Sequence, residues 1–424
     1  MQWNAQQEAA LQDLGAWARQ RSTDPSDQIK YLAGFAGVGK TTLLRHLAAD
    51  VPGMVQFAAY TGKSAYVMRA KGCAGATTIH SLIYKPAGDS KTDDLLEVER
   101  KLAALPSMFD RTGEGEGEPT EAEKRERRRL VALRDAMLVK GGRKPMFSLN
   151  PDSDLRTAHL LIIDECSMVD ARIGQDLLSF GKKILVSGDP AQLPPVGGGG
   201  FFTERRPDHM LTEVHRQAKE SGILWLSTDV REGRGMRCGS YGDDCLVTSR
   251  HGLGEQLAER VLAVDQVLVG RNATRHSWNA RYRELTNRKD VLPVAGDKVV
   301  CLRNNHEAGL LNGSLWRVHE AQGNTDSMDV EMTVSSEEDG AQGVQVVSHA
   351  HHFMGREDDL KKMSWNRRDK EEFDFGYVLT THKSQGSQWD DVLLLDESGV
   401  FRADSQRWLY TGITRAAKNL TVIT

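Results

Sequence analysis

Residues 34–41 read G-F-A-G-V-G-K-T, which satisfies G-x-x-x-x-G-K-[ST] at every position. The chemistry implied is the gripping of a nucleoside triphosphate. Gly34, Gly37 and Gly39 free the backbone to turn where a Cβ would obstruct it, so the amides from Gly37 through Val38, Gly39, Lys40, Thr41 and Thr42 can face one anion. Lys40 would reach the β- and γ-phosphates, and the Thr41 hydroxyl would hold Mg²⁺. A second constellation, Asp164-Glu165, supplies what the loop lacks: a carboxylate for Mg²⁺ at Asp164 and a base for water at Glu165.

Each group needs an element behind it. A run over 29–33, apolar but for Lys30, predicts the strand before the loop, and Leu43, Leu44 and Leu47 predict the apolar side of a helix whose positive end faces the phosphates. An apolar run over 158–163, interrupted only by His159, predicts a buried strand that delivers Asp164 and Glu165. A further strand at 183–187 leads into GDPAQLPPVGGGG, where Gln192 can touch a γ-phosphate and report its loss. Pro194 and Pro195 stiffen that loop, and glycines at 197–200 free the chain beyond it. Upstream, helical spacing over residues 1–20, with Asn4 as cap, predicts a helix covering the adenine side; the Gln7 amide could read the base edge with one donor and one acceptor. After a strand at 55–60, Thr61, Lys63, Thr78 and His80 follow strand ends or helix starts and are candidate nucleic-acid phosphate contacts.

A chain of 424 residues exceeds one ordinary domain; at roughly 150 residues each it suggests about three. With 39% hydrophobic and 27% charged residues it has the balance of a soluble globular protein, not a disordered or fibrous one. No apolar run approaches a membrane span and the N-terminus has no signal-peptide pattern, so the expected site is the cytoplasm. Five scattered cysteines do not make a disulfide framework, and Cys238 and Cys245 are too far apart for a zinc knuckle. A net charge of −4 leaves a nucleic-acid partner open, since such a partner needs only a local basic face.

Residues 86–157 change character. Gly and Glu alternate over 113–118, which predicts a flexible connection, and the charged stretch 120–139 predicts a solvated helix with Arg125, Arg128 and Arg129. Later, residues 296–355 contain short β-like runs broken by Asn312-Gly313, a strong turn signal. His349, His351 and His352 read as exposed strand-end histidines, because no cysteine or carboxylate stands at ligand spacing. A charged segment over 356–373 leads back to strands at 377–381, 392–395 and 420–423.

In order along the chain, GFAGVGKTT, YTGKSA, TTIHSL, DECSMV, GDPAQLPPV, LTEVHRQ, YVLTTHKSQGSQWDDV and LYTGITRA resemble motifs I, Ia, Ib, II, III, IV, V and VI of the superfamily 1B helicases, of the RecD-like and Dda-like kind. That resemblance implies an α/β fold of two RecA-like phosphate-loop domains with parallel sheets. A charged insertion would interrupt the first, and a small SH3-like β-barrel the second. The expected bounds are 1–85 with 158–210, insertion 86–157, then 211–295 with 375–424, and barrel 296–374.

It further implies that Arg216 and Arg415 reach across a cleft to the γ-phosphate, while Thr380, His382 and Lys383 lie near nucleic-acid phosphates. Arg275, Trp278 and Asn279 fall near less constant contacts of the family. Gln388 stands where many superfamily 1 relatives carry a Glu at the ribose, and an amide can still bond a hydroxyl. The implied activity is ATP- and Mg²⁺-dependent unwinding of DNA, with 5′ to 3′ translocation on single strands and at single/double-strand junctions. The wedge would lie in 86–157. Expected partners are single-strand-binding or replisome proteins, in replication, recombination or repair, with the enzyme monomeric in a bacterial or phage-infected cytosol. An RNA-directed helicase and a non-translocating nucleotide switch are the alternatives.

Overall fold

The computed structural model describes residues 3–20, 24, 27–86, 130, 147–194, 200–213, 220–254, 256–303, 305, 308–324, 326, 328–337, 343–362 and 370–424. They divide into two compact units, Met1–Leu82 with Asp154–Thr424, and Ile83–Ser153.

In the larger unit the first sheet starts with β1 (Ile29–Gly34), β2 (Val55–Ala59) and β3 (Thr77–Thr78). In the smaller unit β4 (Tyr84–Pro86) pairs antiparallel with β5 (Phe147–Leu149). The flexible connection, charged helix and wedge expected between them lie outside the described residues, apart from Leu130.

Returning to the larger unit, β6 (Leu160–Asp164), β7 (Lys183–Gly188) and β8 (His209–Leu211) complete a six-stranded, wholly parallel sheet in the order β3-β2-β6-β7-β1-β8. A parallel sheet is covered on both faces, which is why β6 carries the apolar run Leu160–Ile163 and β7 the run Ile184–Val186, and every residue of both strands is buried. The loops at the carboxyl ends of β1, β6 and β7 therefore emerge side by side, and those ends carry the phosphate loop, Asp164-Glu165 and Gln192.

The second sheet is built from β9 (Gly239–Tyr241), β10 (Cys245–Thr248) and β11 (Gln266–Val269), then β17 (Val378–Thr380), β18 (Trp389–Leu395) and β19 (Ala416–Ile423). Its order is β17-β11-β18-β19-β10-β9, parallel except at the β9–β10 pair. Between β11 and β17 the chain makes a closed barrel from β12 (Lys298–Cys301), β13 (Leu315–Asn324), β14 (Asp329–Ser336), β15 (Val344–His349) and β16 (Glu371–Phe375). Closure comes from β12 pairing with both β13 and β16. Val299, Trp316, Val334 and Phe373 fill the barrel's core, continuous with Val267 and Leu393 of the second sheet.

Two expectations are corrected. His349 and His351 are buried, not exposed, because β15 runs beside β16 and the chain then folds Ala350 and Phe353 into the barrel core. Among the described residues no three His, Cys, Asp or Glu come together as a metal site. Arg275 and Asn279 are internal braces: Arg275 pairs with the buried Asp374, and the Asn279 amide donates to the Val378 carbonyl and accepts its N–H, both at 3.0 Å. Trp278 packs against the barrel core.

Candidate active site and nucleic-acid groove

The phosphate loop is shaped by its glycines and held from behind. Gly37 and Gly39 adopt φ of 76° and 79°, in the left-handed region that a side chain disfavours. Gly39 caps the helix Lys40–Ala49 without a side-chain hydrogen bond, leaving the first amides of that helix directed at an anion. Gln7 lies buried beneath the loop. Its Nε2 donates to the Val38 carbonyl at 3.0 Å and its Oε1 accepts the Asn4 N–H at 3.1 Å, closing a capping box on the helix Ala5–Arg19. This amide therefore joins the first helix to the loop.

Around that anion position the chemical groups converge. Lys40 Nζ donates to the carbonyls of Gly34 at 2.7 Å and Phe35 at 2.9 Å, folded over the loop it would leave for a phosphate oxygen. Thr41 Oγ1 donates to Asp164 Oδ2 at 2.7 Å, so hydroxyl and carboxylate already occupy neighbouring corners of one small volume. Oxygen donors of this kind suit a hard divalent cation such as Mg²⁺. The other carboxylate oxygen, Asp164 Oδ1, accepts the Glu165 N–H at 3.0 Å. Glu165 itself is held at φ 55°, a left-handed conformation uncommon for a residue with a Cβ, which turns its carboxyl out of β6 into the cavity. Burial raises the Glu165 carboxyl above its ordinary pKa; Arg415 opposes that rise and Asp164 adds to it. A carboxyl so placed is a stronger proton acceptor than one in water.

The opposite wall belongs to the second sheet. Arg415, buried at the end of the helix Ser405–Ile413, donates to the carbonyls of Thr411 at 3.0 Å and Ser387 at 3.1 Å, and to the Thr414 hydroxyl at 3.2 Å. The cavity between the walls, about 330 Å³, is lined by Lys40, Thr41, Thr42, Asp164, Glu165, Gln192, Gln388 and Arg415. Gln192 is buried on the wall of this polar cavity, and its Oε1 has no hydrogen-bond partner among the described residues. Arg216 lies outside the described residues. Ser64 and Met68 of the helix Gly62–Ala70 and its C-cap Lys71, which sequence reasoning did not single out, also line this cavity.

A second cavity of about 380 Å³ adjoins the first and shares Ser387 with it. It gathers Thr61, Lys63, His80, His382 and Lys383, residues far apart in sequence, against Asn312-Gly313 from the barrel turn. Among the described residues no carboxylate lines it. Lys63 stacks its ammonium 4.5 Å from the centre of the Trp389 ring. Burial lowers the His382 pKa, and Lys383, although exposed, is pulled down by the protein around it and then by Arg275. Thr78 and Thr380 do not line the groove. The Thr78 hydroxyl accepts the Ser81 N–H at 3.1 Å and that of Thr380 accepts the Lys383 N–H at 3.3 Å, so both shape turns behind it.

Residues 2–249 match the AAA domain family, and residues 375–423 match the UvrD-like helicase C-terminal domain. Among curated proteins, the ATP-dependent RecD2 DNA helicase of Deinococcus radiodurans is 27% identical over 61% of this chain and 35% of its own length. The conjugal transfer protein TraA of Rhizobium radiobacter is 25% identical over 62% of this chain and 24% of its own. The chain thus spans about a third or less of the length of these relatives. Among solved structures, Bacteroides Pif1 bound to single-stranded DNA aligns with all of this chain and 92% of its own, at a TM-score of 0.52 and 17% identity. At that identity the alignment speaks for the fold. Family matches over both halves, two largely parallel sheets facing one cleft and the barrel inserted in the second lead to one assignment: the chain belongs to the superfamily 1B helicases.

Proposed function

We propose that this chain is an ATP-driven DNA helicase that moves 5′ to 3′ along a single strand and separates duplex at a junction. The observation that carries this reading is the adjacency of two cavities of complementary character. One holds the phosphate loop, the Asp164-Glu165 pair and a buried arginine; the other is a groove whose lining brings together Lys63, His80, His382 and Lys383 and includes no carboxylate among the described residues. A nucleotide site alone would need only the first. Polyanion binding next to it fits a strand whose occupancy is tied to hydrolysis.

In the proposed reaction Glu165 accepts a proton from water as its oxygen attacks the γ-phosphorus, and the bond from that phosphorus to the β-bridging oxygen breaks, releasing ADP and phosphate. Lys40 and Arg415 offset charge on the transferring group, and Gln192 bonds the water or a γ-oxygen. Thr41 and Asp164 would hold Mg²⁺, which supplies neutralisation of the β- and γ-oxygens. Gln388 would accept a ribose hydroxyl. Gln7 would act from behind the loop, beside the base. The motif IV arginine, Arg216, would join Arg415.

The test is unwinding of DNA duplexes carrying either a 5′ or a 3′ single-stranded tail, with hydrolysis measured alongside. Opening of only the 5′-tailed duplex, abolished by Lys40→Ala, supports the proposal. Opening of only the 3′-tailed duplex overturns the polarity. Hydrolysis indifferent to DNA overturns the motor, and stimulation by RNA in preference to DNA favours the RNA-directed reading. Replication, recombination or repair is the proposed setting, as a cytoplasmic monomer meeting single-strand-binding or replisome proteins.

A further inference from the structure

Leu193 follows Gln192 and is gripped by the second sheet's domain on three sides. Its side chain is buried in that domain's core with Ile223, Trp408 and Ile413. Its N–H donates to the Thr411 hydroxyl at 2.9 Å, and its carbonyl accepts from Gln385 Nε2 at 2.8 Å. The strand that precedes it, β7, nevertheless belongs to the first sheet. Gln192 thus sits on a peptide whose root is in one domain and whose tip is bolted into the other.

Gln385 is the member of that grip that also meets the groove. It lines the cationic cavity beside His382 and Lys383, and is itself buried. The next residue, Gly386, has a φ of 73°, and a Cβ there would stand 2.0 Å from Ser64 Oγ, so the segment is pressed against the first domain at the groove's edge. Ser387 then lines both cavities and gives its carbonyl to Arg415.

Resting on the helicase reading above, we propose that Gln385 is the positioning residue through which a strand in the groove sets Gln192 for hydrolysis. A strand that shifts His382 and Lys383 shifts the turn bearing Gln385. The 2.8 Å bond then carries that shift to the Leu193 peptide and so to the Gln192 amide. The residue touches no phosphate; it acts through Leu193.

Gln385→Met keeps the side chain's length and removes the donor to the Leu193 carbonyl, and Thr411→Val releases the N–H of the same residue. Hydrolysis is measured in the whole chain with and without a saturating oligothymidylate, together with oligothymidylate affinity and the melting temperature. The expected result for Gln385→Met is a fall of about ten-fold in oligothymidylate-stimulated kcat, with KM for ATP and oligothymidylate affinity within about two-fold of wild type. Thr411→Val should show the same split, and it carries the test if Gln385→Met does not fold. Full stimulation at saturating oligothymidylate in either folded variant overturns the inference, as does an affinity loss that accounts for the whole effect. A wild-type protein that the oligothymidylate does not stimulate sinks the helicase reading itself, an outcome separate from a variant that behaves as wild type.

Discussion

Arg415 Nη1 holds the carbonyl oxygen of Ser387 at 3.1 Å. The guanidinium is thereby parked at the cavity wall on a backbone acceptor, and turning to a γ-phosphate would exchange that bond for a stronger charged one. Arg415→Ala is expected to lower kcat by about 10³-fold, the order found for arginines that stabilise phosphoryl transfer, with a smaller change in KM. Arg415→Lys should recover little of it, because a point charge cannot keep the three acceptors that the planar fork now uses. Steady-state kinetics of both variants check this.

The bond between Thr41 and Asp164 makes a prediction about metal dependence. Asp164→Asn preserves shape and removes charge, so nucleotide binding should lose its response to Mg²⁺ and kcat should fall at least about 100-fold. Titration of Mg²⁺ against a fluorescent nucleotide separates this from a folding defect. Binding that stays equally Mg²⁺-dependent would sink the assignment.

Glu165 should trade stability for activity. Its carboxyl pKa is raised by burial, so the folded state holds the proton more tightly than the unfolded chain. Below the ordinary glutamate value both states are protonated and nothing is gained or lost. As pH rises through that value the unfolded chain ionises first, and stability falls until the folded carboxyl has also ionised. Glu165→Gln removes this loss. It should abolish hydrolysis yet melt higher than wild type at neutral pH, with the gap shrinking on acidification. Melts across pH 4 to 8 test the sign.

Tyr410 binds the two domains by its phenol. The hydroxyl donates to Asp189 Oδ2 at 2.7 Å and accepts the Ala36 N–H of the phosphate loop at 3.1 Å. Asp189 in turn accepts the Ala191 N–H at 3.0 Å, at the start of the loop bearing Gln192. Tyr410→Phe leaves a buried carboxylate short of a donor, and should cost about 2 kcal/mol, read from the urea midpoint.

Much of this was legible in the chain itself because local chemistry spells it. A glycine-rich loop after an apolar run needs no distant residue to define it, and β6 announces Asp164 and Glu165 because a parallel strand buried on both faces tolerates only apolar side chains. Eight short motifs in order sufficed for two sheet domains and a barrel. What the chain did not disclose is where side chains end up when a closed surface must be filled. His349 and His351 look like surface residues until the barrel folds Ala350 inward. Arg275 falls near the less constant contacts of the family until Asp374, on β16, arrives beside it. Thr78 and Thr380 carry the right hydroxyls but spend them on their own turns. Gln385 and Tyr410 were visible only as letters inside motifs, since their partners Leu193 and Asp189 are distant in sequence. Residue type and spacing determine which groups can do the chemistry. Tertiary structure decides which of them share a wall, because a hydrogen bond of 3 Å between domains depends on packing that no local pattern records.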